Sequence, residues 1–225
     1  MATVFLLDVD NTLLDNDAVT DDLRRHMTDA LGEDSQRRYW EIFEELRGEL
    51  GYADYLGALQ RFRAEQPRVP QILSVSLFLL HYPFADRLYP RALQTIAEIA
   101  RRGRTVILSD GDVVFQPRKV ERSGLWGAVD GRVLIYIHKE QMLDDVERRY
   151  PADRYVMVDD KLRILDAIKR VWRDRVTTVF VRQGHYAHDP AIVKSYAPAD
   201  VTIETIAELP GALTPSGADL SHTSG

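Results

Sequence analysis

Two carboxylates lie two positions apart in the stretch FLLDVDNTLL (5–14), where Asp8 and Asp10 follow an apolar run of strand type. Paired carboxylates can supply a nucleophile, transfer protons or ligate a hard cation. A D-x-D pair by itself is common in acidic chains, so it indicates chemistry only in the company of other groups. Further along the chain, Ser109, Lys139 and the pair Asp159–Asp160 supply a hydroxyl, an ammonium and two more acids.

These groups follow elements that can position them. Apolar runs predict strands at 3–8, 105–110, 154–160 and 176–181, a strand-like segment at 132–137 and a short strand before the last helix. Helical segments separate the strands, so the sequence predicts a parallel sheet with helices on both faces. Ligands of such sheets bind at the carboxyl ends of the strands. We therefore expect the acids, Ser109 and Lys139, which begins a predicted helix, to meet at one edge of the sheet.

The segment between the first two strands is different, because helical spacing with charged faces runs from about Thr20 to Leu80 without a strand pattern. We predict an all-helical insertion at 16–85 and an α/β core formed by 1–15 and 86–211. The remaining residues, 212–225, are rich in Gly, Ser, Thr and Pro and are predicted to form a loosely held tail.

The composition limits the classes of function. Of the 225 residues, 45% are hydrophobic and 28% are charged, as in soluble globular proteins. The net charge of −6 gives no basic footprint for nucleic acid, although a phosphorylated small substrate needs only local positive charge. The absence of cysteine excludes disulfides, thiolate catalysis and Cys-ligated metals. The longest apolar stretch, 72–80, is too short to cross a membrane, and no signal peptide is evident, so we expect a cytoplasmic protein.

The four polar groups, in this order at successive strand ends, resemble the motifs of the haloacid dehalogenase (HAD) superfamily. Its D-x-D-x-T motif is matched by Asp8-Val9-Asp10-Asn11-Thr12, its strand-end Ser or Thr by Ser109, its lysine by Lys139 and its acidic pair by Asp159–Asp160. The resemblance covers residues 3–210. It implies a Rossmann-like, HAD-like core of the phosphatase type, with a helical, C1-type cap inserted after the first strand to exclude water from the site.

The resemblance also implies a role for each acid. Asp8 would be the nucleophile that forms an aspartyl-phosphate, and a ligand of Mg²⁺. Asp10 would protonate the leaving alkoxide and then accept a proton from water, and its backbone carbonyl would ligate the metal. The resemblance favours Asp160 as a direct metal ligand, with Asp159 as a second ligand or as the holder of a metal-bound water.

Three further residues complete the implied site. Lys139 would neutralise the phosphoryl oxygens, and the Ser109 hydroxyl would donate to one of them. Thr12 would orient Asp10 and its loop. Lys119 is a competing candidate for the lysine. It falls inside a predicted helix and lies twice as far from the acidic pair along the chain, so we favour Lys139.

Other candidates have structural interpretations. Lys161, directly after the acidic pair, is typical of a salt-bridge or surface residue. We interpret His185-x-x-His188 as part of a loop that lacks supporting metal ligands. Arginines and aromatic residues are plentiful in the insertion, but helix packing and solvated faces explain most of them. Their spacing does not identify the residues that read a substrate.

Together these features predict a Mg²⁺-dependent phosphatase of a small phosphate monoester, similar to phosphoglycolate phosphatases. A phosphomutase comes next, because it shares the aspartyl-phosphate chemistry. A 2-haloacid dehalogenase uses the same nucleophile but lacks the second Asp, so Asp10 disfavours it. A non-catalytic HAD-fold binding protein has no need of Asp10. The predicted partner is a small phosphorylated metabolite, without nucleic acid or membrane, and the sequence does not determine the oligomeric state.

Overall fold

A six-stranded parallel sheet forms the centre of the protein. The computed structural model describes residues 2–213, in which the strands lie in the order β3-β2-β1-β4-β5-β6. Their bounds are β1 Thr3–Leu7, β2 Arg104–Asp110, β3 Val133–Tyr136, β4 Arg154–Asp159, β5 Val176–Val181 and β6 Val201–Ile203. The predicted α/β, Rossmann-like fold class is confirmed. Because β1 lies between β2 and β4, the carboxyl ends of these three strands are adjacent.

Both faces of the sheet are buried. Phe5 and Leu7 belong to one apolar cluster, which extends into the helices between β1 and β2, and Val4 and Leu6 belong to a second cluster. Successive side chains of a strand point to opposite faces, so a strand that is buried on both faces needs an uninterrupted apolar run. This requirement explains the runs VFLL, VIL and YVMV in β1, β2 and β4.

Helices cover the sheet and fill the segment between β1 and β2. We call the four helices of that segment the helical insertion: α1 Asn16–Leu31, α2 Glu33–Leu50, α3 Tyr55–Glu65 and α4 Ile72–His81. The other helices are α5 Ala92–Ile99, α6 Phe115–Arg122, α7 Leu125–Ala128, α8 Leu143–Arg149, α9 Leu162–Trp172, α10 Gly184–His188, α11 Pro190–Lys194 and α12 Leu209–Ala212. None of the helices within 2–213 is both long and apolar enough to span a bilayer.

The insertion consists of helices, as expected, whereas the predicted boundaries of core and insertion stay predictions. From residue 214 onwards, the predicted tail lies outside the described residues.

The segment 9–15, which we call the β1 loop, leads directly into the insertion. Asn11 adopts a left-handed conformation (φ 58°), which Asn tolerates better than most residues. Its side-chain oxygen accepts hydrogen bonds from the amides of Asn16 (3.0 Å) and Asp17 (3.2 Å). The Asp15 carboxylate accepts one from the amide of Ala18 (2.9 Å). Side chains of the β1 loop therefore satisfy the amides of the first turn of α1, which have no partner within the helix.

Two predicted segments differ from the structure. The predicted helix that starts at Lys139 is divided into a short 3-10 turn, Lys139–Gln141, and α8. The predicted loop around His185 contains α10, which begins at Gly184 (φ 72°) and is followed by α11. Asp189 caps α11, and Pro190 suits the first helical position because its missing amide proton would have no partner there. Helices of only five residues, such as α10 and α11, are too short to show the hydrophobic periodicity from which a helix is predicted.

Candidate active site

Three acids meet at the carboxyl ends of β1 and β4. Asp8 follows β1 directly, Asp159 is the last residue of β4, and Asp160 follows it. One oxygen from each carboxylate lies within 4.8 Å of the others, and all three residues are buried. We call this group the acid cluster. The pairing of β1 with β4 in register produces it, because the chain leaves both strands at the same level.

Lys139 reaches the acid cluster from the turn after β3. Its ammonium contacts Asp8 (Nζ–Oδ1 2.5 Å) and Asp159 (Nζ–Oδ2 2.7 Å) and donates to the carbonyl of Leu108 (3.3 Å). The backbone amide of Lys139 donates to Asp110 (2.7 Å), which fixes the turn. The structure therefore brings Lys139 to Asp8, the position that the sequence analysis gave it.

Burial and the repulsion between neighbouring acids raise the pKa values of Asp8 and Asp160. Burial raises the pKa of Asp8 to about 6; Lys139 opposes this shift and Asp159 adds to it. Burial and then the neighbouring Asp159 and Asp8 hold the pKa of Asp160 well above its usual range, against the effect of Lys161. Burial alone would lower the pKa of Lys139, but Asp159 and Asp8 outweigh it and raise the value. Additional positive charge close to the cluster would therefore stabilise the ionised form of its carboxylates.

The donor set of the acid cluster fits a hard divalent cation. Carboxylate oxygens are the ligands that Mg²⁺ and Ca²⁺ prefer, and a cation would offset the repulsion between the acids. Neither oxygen of Asp160 has a hydrogen-bond partner among residues 2–213, although this residue is only 1% exposed. A buried carboxylate without a partner is costly, and a cation would satisfy it. The cluster could therefore hold a metal ion through Asp8, Asp159 and Asp160.

Asp10 lies in a second charged pair, and its side chain is not part of the acid cluster. Lys119, which is fully buried, donates to the Asp10 carboxylate (Nζ–Oδ1 2.7 Å) and to the side-chain oxygen of Asn16 (2.9 Å), the first residue of α1. The Asp10 side chain is 25% exposed and borders a cleft. This exposure makes its carboxylate accessible for proton transfer. Metal ligation by the Asp10 backbone carbonyl stays a prediction.

Thr12 has a different partner from the one expected. Its hydroxyl donates to Asp8 (3.3 Å), not to Asp10. The β1 loop turns back at Val9, whose carbonyl accepts from the amide of Thr12 (3.3 Å), and this turn returns Thr12 to the end of β1. Thr12 therefore orients Asp8.

Ser109 lies at the end of β2, where the sequence placed it, but its hydroxyl is engaged by neighbours. It donates to the carbonyl of Asp110 (3.3 Å) and accepts from the side-chain amide of Gln116 (3.0 Å). Gln116 also borders the cleft. Donation from Ser109 to a phosphoryl oxygen would require the hydroxyl to rotate away from Asp110, and this contact stays a prediction.

A cleft of about 910 Å³ lies between the core and the helical insertion. Its core side includes polar and charged residues, among them Asp10, Asp110, Gln116, Lys161 and Tyr186. Its insertion side carries aromatic residues together with charges of both signs: Trp40, Phe43, Tyr52, Tyr55, Arg24, Arg47, Asp17, Asp21 and Glu44. A cleft of this size and character can receive a small polar ligand.

Three residues at these sites lack the role in the sequence analysis that their positions suggest. Gln116 is absent from the sequence-based expectations, Lys119 enters them only as a rival for the position of Lys139, and Lys161 enters them as a salt-bridge or surface residue. Lys119 and Gln116 share the buried face of α6 with Phe115 and Val120. A lysine at an apolar helical position was the available signal, since a buried lysine needs an anionic partner. Lys161 is half-buried and forms no salt bridge within residues 2–213. It borders the cleft, and its ammonium lies 5.3 Å from the centre of the Tyr186 ring.

His185 joins the core to the insertion. Its ring Nδ1 lies 2.7 Å from Asp17 Oδ1, and its backbone amide donates to Asp17 Oδ2 (2.8 Å). Within residues 2–213, the acid cluster is the only group of three or more His, Cys, Asp or Glu side chains that could hold a metal. This agrees with the structural interpretation of His185 and His188, although they lie on a short helix instead of a loop.

One protein family matches most of the chain. A sequence model of the haloacid dehalogenase-like hydrolases matches residues 2–171. A solved structure from Burkholderia xenovorans LB400, described only as a haloacid dehalogenase-like hydrolase, is 65% identical to the chain. The likeness covers 92% of this chain and 97% of that one, with a TM-score of 0.89. No protein of curated function matches the sequence.

More distant structures share the fold. L-2-haloacid dehalogenase from Xanthobacter autotrophicus, solved with chloropropionic acid covalently bound, is 18% identical over 96% of this chain and 100% of that one, with a TM-score of 0.65. The HAD-hydrolase YfnB from Bacillus subtilis, solved with magnesium, is 17% identical over 94% and 98%, with a TM-score of 0.63. At these identities the likeness shows the fold alone.

Proposed function

The chain belongs to the haloacid dehalogenase-like hydrolase family, and on that premise we propose that it is a Mg²⁺-dependent phosphatase of a small phosphate monoester. The observation that carries the proposal is a pair of carboxylates held in two different ways. Asp8 is bound by Lys139 inside the acid cluster, and Asp10 is bound by Lys119 beside the cleft. Transfer through an aspartyl-phosphate needs one carboxylate as the nucleophile and a separate group for proton transfer.

The reaction has two halves. In the first, a carboxylate oxygen of Asp8 forms a bond to phosphorus, the ester P–O bond breaks, and Asp10 gives its proton to the departing alkoxide. In the second, the oxygen of a water molecule forms a bond to phosphorus while Asp10 takes a proton from that water, and the bond between Asp8 and phosphorus breaks to release inorganic phosphate. Lys139 holds Asp8 in place and offsets the negative charge of the phosphoryl oxygens. Mg²⁺, held by Asp8, Asp159 and Asp160, would supply further positive charge.

The cleft supports a small substrate. Its volume of about 910 Å³ lies within the range of small-molecule sites. The helical insertion provides one side of it, so a leaving group that departs from Asp8 towards Asp10 would lie against the insertion. The proposal includes a small phosphorylated metabolite as the partner, an activity like that of phosphoglycolate phosphatases, and a cytoplasmic location.

The alternatives differ in what they require of Asp10. A phosphomutase would use both acids in the same way but return the phosphoryl group to a hydroxyl of the substrate. A 2-haloacid dehalogenase would share the fold and the nucleophile, but a halide leaving group needs no proton from Asp10. A non-catalytic binding protein would need neither the cluster nor the second pair.

Hydrolysis of p-nitrophenyl phosphate, with and without Mg²⁺, tests the proposal. We expect release of phosphate that a chelator abolishes. A panel of phosphorylated metabolites that includes phosphoglycolate then identifies the substrate class, and chloride release from 2-chloropropionate is the control for dehalogenase activity. Inactivity on every phosphate ester, or chloride release without phosphate release, would overturn the proposal. Isomerisation of a sugar phosphate without free phosphate would favour the mutase.

A further inference from the structure

The segment Gln183–Tyr186, after β5, contacts both the β1 loop and the helical insertion. The Gln183 side-chain amide donates to the carbonyl of Thr12 (3.1 Å). Gly184 packs so closely on Asn11 that a Cβ atom at position 184 would lie 2.5 Å from its side chain. Arg47 of α2 donates to the Tyr186 hydroxyl. The segment is therefore part of the site's framework, although the mechanism proposed above gives it no role.

Lys161 lies beside this segment and borders the cleft. A lysine side chain with its ordinary basicity is a cation at neutral pH. The Lys161 ammonium nevertheless forms no salt bridge with any of residues 2–213. It lies instead over the face of the Tyr186 ring. Lys161 thus differs from Lys139, whose ammonium is already bound by Asp8 and Asp159.

Tyr186 is held from two sides. The Lys161 ammonium lies 5.3 Å from the ring centre, a distance at which a cation is attracted to an aromatic face. The Arg47 guanidinium lies 5.8 Å from the ring centre and also bonds with the hydroxyl. Arg47 belongs to the insertion and Lys161 precedes α9 of the core, so this single ring connects the two sides of the cleft.

We propose that Lys161 is a second phosphoryl-binding lysine and that Tyr186, anchored by Arg47, is the residue that positions it. The inference rests on the proposed phosphatase function and deepens it. Lys139 approaches the phosphoryl group from the acid cluster, whereas Lys161 faces the cleft from which a substrate enters. The Lys161 ammonium makes no hydrogen bond with residues 2–213, so it is free to donate to a phosphoryl oxygen that lies between Asp8 and the cleft. The lysine remains an ammonium throughout and forms no covalent bond.

Binding of inorganic phosphate, measured by calorimetric titration of the Mg²⁺-loaded protein, tests this inference without turnover. Lys161→Met should weaken phosphate binding about tenfold or more, the usual effect of removing a hydrogen bond between two charged groups. Lys161→Arg, which keeps the charge, should restore most of the affinity. Lys194→Met, the same change at an exposed lysine of α11, is the matched control and should bind phosphate as the wild type does.

The positioning role of Tyr186 is tested with a double-mutant cycle. Tyr186→Leu removes the aromatic face and should weaken phosphate binding several-fold, while Tyr186→Phe keeps the face and should retain most of the affinity. In the Lys161→Met background, Tyr186→Leu should have little further effect, because its action passes through Lys161. Thermal unfolding of each variant separates these effects from loss of folding, and Tyr186→Phe remains informative if Tyr186→Leu does not fold.

An unchanged phosphate affinity in Lys161→Met, or an equal loss of affinity from Tyr186→Leu in both backgrounds, would overturn the inference. Absence of phosphate binding to the wild type would overturn it as well. Phosphate binding that depends on Lys161 and Tyr186, in a protein that hydrolyses no phosphate ester, would support the anion site while refuting the proposed phosphatase. The two proposals therefore fail separately.

Discussion

Asp8 and Asp10 are two residues apart, yet they lie in regions with different surroundings. The Asp8 side chain is 5% exposed, and its lysine, Lys139, comes from the core and also binds a second acid. The Asp10 side chain is 25% exposed, and its lysine, Lys119, also contacts the helical insertion through Asn16. The first acid is enclosed by the core, whereas the second lies where core, insertion and cleft meet.

The difference shows what each acid depends on. An enclosed carboxylate among other acids has a fixed position but needs positive charge close by, because burial and repulsion both oppose its ionisation. A carboxylate beside the cleft can exchange a proton with a substrate or with water. The β1 loop produces this division, since the chain turns between the two acids and directs their side chains to different lysines.

Asp8→Asn should have the largest effect on catalysis. The amide is nearly the same size but cannot form an aspartyl-phosphate, so we expect kcat for phosphate release to fall by at least about 10⁴-fold. Phosphate release at saturating p-nitrophenyl phosphate measures it. Retention of more than about a tenth of the wild-type kcat would contradict the nucleophile assignment.

Asp10→Asn should have a smaller effect that depends on the leaving group. Loss of a general acid and base lowers the catalytic rate by about 10²- to 10⁴-fold. The rate falls less when the leaving group can depart without a proton. We expect kcat to fall further for an alkyl phosphate than for p-nitrophenyl phosphate. Comparing the two substrates in one variant provides the internal control. Equal losses for both would place Asp10 outside proton transfer.

The two lysines should differ in their effect on stability. Lys139→Met leaves Asp8 and Asp159 buried without their cation, and removing one partner of a buried pair costs about 3–5 kcal/mol. Lys119→Met should cost less, because Asp10 borders the cleft and can be hydrated. Denaturant unfolding of the metal-free proteins measures both. A larger loss in the free energy of unfolding for Lys119→Met than for Lys139→Met would contradict this difference between the two regions.

The pH dependence of Mg²⁺ binding should follow Asp8. Burial raises its pKa from 3.8 to about 6, so below pH 6 a proton competes with the metal. We expect about tenfold weaker Mg²⁺ affinity at pH 5 than at pH 7 by calorimetric titration. Because the folded-state pKa is the higher one, Asp8 alone makes metal-free protein more stable as pH falls from 6 towards 4. The variant Asp10→Asn should show the same pH dependence of Mg²⁺ affinity. A wild-type Mg²⁺ affinity that does not change between pH 5 and pH 7 would contradict the raised pKa of Asp8.

The part of the site that lies at the strand ends was predictable from the sequence. Apolar runs that end in polar residues place Asp8, Ser109 and Asp159 at one edge of a parallel sheet, and the sheet in the structure has this arrangement. The assignment of Lys139 comes from the resemblance to the family's motifs, and its shorter distance to the acidic pair along the chain favours it over Lys119. The first inference uses only the local pattern of the sequence, whereas the second also needs the family.

The contacts that cross the fold were not predictable in the same way. Lys119 meets Asp10 across 109 positions, and sequence spacing offered Lys119 and Lys139 as rivals, although each binds a different acid. The partner of Thr12 depends on a turn of the β1 loop, and Lys161 lies against the ring of Tyr186 from a later segment of the chain. These outcomes follow from side-chain packing between distant segments, which periodicity does not encode.

The capping of α1 by the β1 loop has a consequence for protein engineering. Asn11 and Asp15 satisfy the amides of Asn16, Asp17 and Ala18, so the start of the first inserted helix is built from residues that precede it. A chimera that exchanged the insertion at residue 16 would separate this helix from the side chains that cap its first turn. The transplantable unit begins at Asn11, directly after Asp10, so an exchange of the insertion between relatives would also carry Thr12, whose hydroxyl contacts Asp8.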